Sequence, residues 1–195
     1  MWLFGEQSFT HSKTIKDIVE LTNFTFNKNC SYISIMKKVS IFVDVQNIYY
    51  TTRQQFSCNF DYNKFWKLVT FNREVVGAFA YTINRGDAKQ IQFQNILRGI
   101  GFQVKLKSYI SRSDGSSKGD WDVGITIDIL DYASKSDIIV LASGDGDFDV
   151  LIERIRSQHN NETEIYGVSN LTAKSLKTVT SSFFPIENEL LLSKI

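Results

Sequence analysis

The feature that most constrains this chain is an alternation that begins at Val39: short runs rich in β-branched and apolar residues are separated by longer segments whose apolar residues recur at three- and four-residue spacing. That alternation reads as successive βαβ units, and such units place their strands parallel in one sheet with helices packed on it. Strands are expected at 39–45, 75–82, 102–110, 137–142 and 164–168, and helices at 62–70, 88–99, 122–133, 148–158 and 172–180. The stripe Leu151, Ile152 and Ile155 is the kind of helical face that packs on a core. Residues 111–119, Ser-Arg-Ser-Asp-Gly-Ser-Ser-Lys-Gly, read as a flexible loop. Pro185, the single proline, follows the last expected helix and would orient the C-terminal segment.

Residues 1–35 have a different character, with aromatic residues scattered among Ser, Thr, Asn and Lys and only a weak helical pattern around 15–21. Met36, followed by two lysines and an apolar run, is how a chain whose first strand is central to its sheet begins. The expectation is an N-terminal extension, 1–35, that is not native to the protein, and a folded domain over 36–195. A length of 195 residues with 43% hydrophobic and 22% charged content suits one soluble globular domain. The net charge of +1 excludes the broad basic field of a protein that holds duplex DNA by charge alone, so any nucleic-acid contact must be local. Cys30 and Cys58 form no metal-binding or disulfide pattern, which fits a reducing cytoplasm. No window approaches eighteen apolar residues, so no membrane association is expected.

Acidic residues gather where the expected strands end. Asp44 closes the first strand and precedes Gln46 and Asn47; Ser143-Gly144-Asp145-Gly146-Asp147 follows the fourth strand and leads directly into a helix. In open α/β sheets the ligand crevice lies beyond the carboxyl ends of the strands, where the strand order reverses, so both groups point into one crevice. Asp120 and Asp122 stand at the entrance of the helix that leads into the fourth strand, where an acid is also an ordinary cap. Four carboxylates in one crevice raise one another's pKa unless a cation lies between them. Mg2+ or Mn2+ suits such oxygen donors, whereas zinc is disfavoured because the chain has only His11 and His159. An ion of this kind lowers the pKa of bound water and polarises a phosphoryl oxygen, which is the chemistry of phosphodiester hydrolysis.

The segments Phe42-Val43-Asp44-Val45-Gln46-Asn47, Lys118-Gly119-Asp120-Trp121-Asp122-Val123 and Ser143-Gly144-Asp145-Gly146-Asp147-Phe148 together resemble the NYN domains of the LabA-like group, relatives of PIN nucleases. The resemblance runs from about Met36 to the end. It implies a PIN-like, Rossmann-like three-layer α/β fold with a central, mainly parallel sheet flanked by helices. It also implies a Mg2+- or Mn2+-dependent ribonuclease site with Asp44, Asp122, Asp145 and Asp147 as catalytic and metal-binding residues. Asn47 matches the polar residue beside the first acid, and Asp128 an acid often present in the same helix. Many relatives place one residue between the Lys-Gly pair and the helix acid; here Asp120 and Trp121 both intervene, leaving Asp120 and Asp122 in competition. Helical phase favours Asp122. Asp128 lies about 240° further round the helix and serves as a support.

Lys118 and Arg112 are candidate contacts to a phosphate, and Arg85, Lys89, Arg98, Lys105 and Lys107 a candidate basic rim, set against an ordinary solvated face. Trp121, Tyr49 and Tyr50 suit base stacking, though burial tendency favours core packing for the tyrosines. Ser143 has no histidine partner that would make it a nucleophile, so its hydroxyl is read as orienting the carboxylates. The expected substrate is single-stranded RNA. The alternative is a non-catalytic module that binds RNA or a protein on the same fold, and a homodimer is compatible with the sequence.

Overall fold

The structure, a computed structural model, describes residues 36–193 except 85, 109, 112–116 and 119. The expectations for 1–35 and for Arg85 and Arg112 lie outside the described residues. In chain order the strands are β1 (Lys37–Asp44), β2 (Arg73–Asn84), β3 (Gln103–Ser108), β4 (Ile110–Ser111), β5 (Ser117–Lys118), β6 (Ile138–Ala142), β7 (Glu162–Gly167) and β8 (Ser182–Pro185). The helices are α1 (Val45–Phe56), α2 (Tyr62–Thr70), α3 (Ala88–Ile100), α4 (Asp122–Ala133), α5 (Asp149–His159) and α6 (Lys174–Val179).

Six strands form one sheet in the order β3-β2-β1-β6-β7-β8, and every neighbouring pair is parallel. From β1 the chain builds outward through β2 to β3, then returns to β6 on the other side of β1 and builds outward to β8. The strand order therefore reverses between β1 and β6, which pair with Val43 opposite Ala142. Strand β6, and β1 from Val39 onward, are buried on both faces, the reason they read as apolar runs broken only by Ser40.

Side chains alternate between two cores. Ile41, Val43, Ala80 and Val140 face α1, α2 and α3 through Ile48, Phe65 and Leu97. Phe42, Phe79, Tyr81 and Leu141 face α4, α5 and α6 through Ile125, Ile129, Ile152 and Leu176. The result is the three-layer α/β architecture that the alternation implies. Among the described residues no helix is long and apolar enough to cross a membrane.

Three elements depart from expectation. Helix α1 was not expected, because Asn47, Tyr49, Tyr50, Thr51 and Thr52, which form its middle, have weak helix propensity. It is held instead by Asp44, whose Oδ1 accepts the Asn47 N–H at 3.0 Å, and by the buried stripe Val45, Ile48, Thr52. Thr52 fits the core because its hydroxyl donates to the Ile48 carbonyl at 2.7 Å. Strand β8 is only Ser-Phe-Phe-Pro at the sheet edge, with Phe184 stacked on Tyr166. The single expected strand 102–110 ends at Ser108, and β4, which begins at Ile110, pairs antiparallel with β5 across the segment 111–119 read as a loop.

Cations meet acids at the amino-terminal edge of the sheet. The Arg73 guanidinium donates to both carboxylate oxygens of buried Glu164, at 2.7 and 3.0 Å, and Lys37 pairs with exposed Glu162 at 2.5 Å. Asp137 accepts the Lys38 N–H at 2.7 Å.

Candidate metal centre

The carboxyl-terminal edge is built by the ends of β1 and β6 and the start of α4. Parallel pairing brings Asp44 and the Ser143–Asp147 segment side by side although they are a hundred residues apart in the chain. Asn47 joins them: its side-chain oxygen accepts the Gly144 N–H at 2.9 Å. The buried Ser143 hydroxyl faces Asp44 Oδ2 at 3.4 Å and accepts the Asp145 N–H at 3.2 Å, so one hydroxyl orders both segments. Asp145 then caps the short turn Gly146–Phe148, its Oδ1 accepting the Asp147 N–H at 3.1 Å. Gly144 permits close approach here, since a Cβ on it would lie 2.8 Å from the Leu171 carbonyl oxygen.

Asp122, Asp145 and Asp147 converge: one carboxylate oxygen from each lies within 4.8 Å of the others. Among the described residues no lysine or arginine forms an ion pair with any of the three. Burial raises the Asp122 pKa, and the charges of Asp145, Asp120 and Asp147 raise it further, with Lys107 acting in the opposite sense. Asp44 is not a member of this trio. It stands beside it, buried, with its pKa pushed up to about 6 by desolvation first and by the charges of Asp122 and Asp145, against the lowering effect of the Asn47 N–H and the Ser143 hydroxyl. The donor set is oxygen only, the choice of a hard divalent ion. His159 lies at the far end of α5, away from these acids.

Asp120, the competitor of Asp122, is exposed and outside the trio; its carbonyl takes the Lys107 ammonium at 2.7 Å. Asp128 faces the sheet, where its Oδ2 accepts the Tyr81 hydroxyl at 2.6 Å and the Lys105 ammonium at 2.5 Å. It braces α4 against β2 and β3. Trp121 is partly buried, its indole N–H donating to the Thr82 carbonyl at 3.0 Å and its ring against Tyr81. Tyr49 and Tyr50 are each 51% exposed, so the core role that burial tendency favours for them is not what they have. Of the candidate basic rim, Lys105 and Lys107 are held as described, and Arg98 donates to Asn95 Oδ1 at 3.0 Å within α3. For Lys118 the backbone lies in β5, and its side chain is outside the described residues.

One participant was missed from sequence. Tyr62, read only as the start of a helix, is buried near enough to Asp44 for that charge to add to the rise in its hydroxyl pKa that burial causes. Nothing in the local sequence marks it, because β1 and α2 meet only in the fold.

The NYN domain sequence profile matches residues 38–187 of this chain. Over 160 residues the chain is 28% identical to the low amplitude and bright protein LabA of Synechococcus elongatus, a match spanning 77% of this chain and 84% of that protein. The crystal structure of a Vibrio parahaemolyticus protein of unknown function is similar with a TM-score of 0.78 and 50% identity, covering 82% of this chain and 98% of the other.

Proposed function

The chain belongs to the NYN domain family and has its PIN-like fold, and from that premise we propose that it is a metal-dependent ribonuclease that hydrolyses phosphodiester bonds in single-stranded RNA. The observation that carries the proposal is the convergence of Asp122, Asp145 and Asp147 with, among the described residues, no lysine or arginine paired with them. Three carboxylates at this separation repel one another, and the fold tolerates the repulsion where a divalent ion relieves it. In this reading the trio holds Mg2+ or Mn2+, which when bound supplies Lewis-acid polarisation of a phosphoryl oxygen and a water of lowered pKa.

The protein's own groups do the rest. Asp145 and Asp147 are aimed by the capped turn, and Asp122 by the first turn of α4. Asp44, with a pKa near neutrality, sits beside the trio where it can accept a proton from an attacking water, or complete the ion's ligand shell as the family resemblance implies. Asn47 and Ser143 fix the distance between the two acidic segments.

Labelled single-stranded RNA incubated with the purified protein and Mn2+ tests the reading. Cleavage that stops with EDTA and is lost in Asp145→Asn is expected. Cleavage that persists in that variant would remove the assigned site. RNA retained intact under all metals would favour a binding module.

A further inference from the structure

A groove of about 500 Å³ opens at the same edge of the sheet, between the start of α1, the segment leading into α2, the end of β2 and α3. Its lining is linked to the acidic site at two points. Val45 and Gln46, which line it, directly follow Asp44, and Thr82, which also lines it, is the residue whose carbonyl holds Trp121 at the entrance of Asp122's helix.

Its walls combine rings with amides. Tyr49 and Tyr50 are half exposed, in contact edge to face at 5.4 Å, and Tyr62 meets Phe93 in the same way across the floor. Gln46, Asn59 and Asn63 contribute hydrogen-bonding edges, and Lys89 lies at the rim. Small-molecule sites have this character: mostly apolar walls, a few hundred cubic ångströms, and a small number of polar groups that set orientation. The one ligand chemistry that such a groove shares with an adjacent phosphodiester site is a planar heterocycle with donor and acceptor edges. Stacking on an aromatic face is open to every base and needs the base unpaired.

We propose that this groove receives an unpaired nucleobase of the strand whose phosphate lies at the acidic trio, with the Tyr49 ring as its stacking platform. The assignment rests on the RNA reading of the trio, and it supplies the reason a single strand is selected, since a paired base cannot enter. It also gives Tyr49, left at the surface at the cost of apolar exposure, something to cover.

The test uses the whole chain. Nucleoside monophosphates and ribose 5-phosphate are titrated in EDTA with isothermal calorimetry as readout. The mononucleotides should bind at least about tenfold more tightly, with the preference lost in Tyr49→Ala and retained in Tyr49→Phe. In the Mn2+ cleavage assay Tyr49→Ala should raise KM about tenfold with kcat little changed, and an abasic substitution beside the cleaved bond should impose the same loss on the wild type and no further loss on the variant. Mononucleotides that bind no better than ribose 5-phosphate, or a Tyr49→Ala protein that binds and cleaves as the wild type does, would overturn the groove and leave the nuclease reading standing. A wild type that prefers mononucleotides through Tyr49 yet never cleaves RNA would support the groove and sink the nuclease.

Discussion

The two edges of the sheet treat their acids in opposite ways. At the amino-terminal edge Glu164 is held by both arms of Arg73, and Glu162 by Lys37. At the carboxyl-terminal edge Asp122, Asp145 and Asp147 face one another, with the buried Asp44 alongside. The first arrangement is complete within the chain. In the second, among the described residues, no lysine or arginine pairs with the three acids, and carboxylates left together in this way mark a candidate functional site.

The sharpest way to break the contrast is to give the carboxyl edge its own cation. Asp147 is exposed, so Asp147→Lys fits without repacking. Its Mn2+-dependent cleavage should fall by more than about a hundredfold, since even partners one shell removed from a metal change affinity by 10- to 100-fold. Thermal melting should rise relative to metal-free wild type and no longer respond to Mn2+, whereas wild-type melting should climb with Mn2+, the effect of any ligand held only by the folded state.

The converse change, Glu164→Gln, strips a mostly buried guanidinium of its partner. A loss of roughly 2–3 kcal/mol is expected in urea unfolding, below the full value for a buried pair because Arg73 retains some solvent contact. Cleavage per folded molecule should be unchanged.

A smaller effect comes from pH. The Asp44 carboxyl titrates near 6 when folded and near its ordinary value of about 3.9 when unfolded. Between those values the folded chain binds more protons, so this group's contribution to stability is present below about pH 4 and is lost as pH rises through 6. Metal-free wild type should therefore gain stability relative to Asp44→Asn as pH falls from 7 to 5, measured by paired melting curves. Asparagine keeps the cap on α1, which isolates the charge. Lys37→Gln should give the smallest change, well under about 1 kcal/mol, because the pair it removes is exposed.

What could be read in advance follows from burial. Strands β1 and β6 lie between two helical layers, so their buried stretches are mostly apolar, and the acids at their ends stand out against that background. Asp145 and Asp147 were legible for this reason, as was the helix that carries Asp122. Helix α1 was not, because its stability resides in one capping carboxylate and three buried side chains rather than in its composition. Nor was β8, four residues long at an edge where a proline is tolerated. The aromatic groove was the least legible of all: Tyr49, Tyr62, Thr82 and Phe93 belong to four elements, and no spacing relates them.

The parallel topology has a consequence for how the chain reaches this state. No strand of the sheet pairs through a tight hairpin, and the bond from Gly144 to Asn47 closes a loop of 97 residues. Such distant closures are slow, because chain entropy is lost before the contacts that reward it are made. Asp44 consequently meets the trio only when β6 docks beside β1, whereas Asp122, Asp145 and Asp147 are brought together by the helix and strand that follow one another in the chain. A divalent ion shared by Asp44 and the trio would act as a latch, holding the two halves of the sheet together once assembled and so slowing unfolding more than it speeds folding.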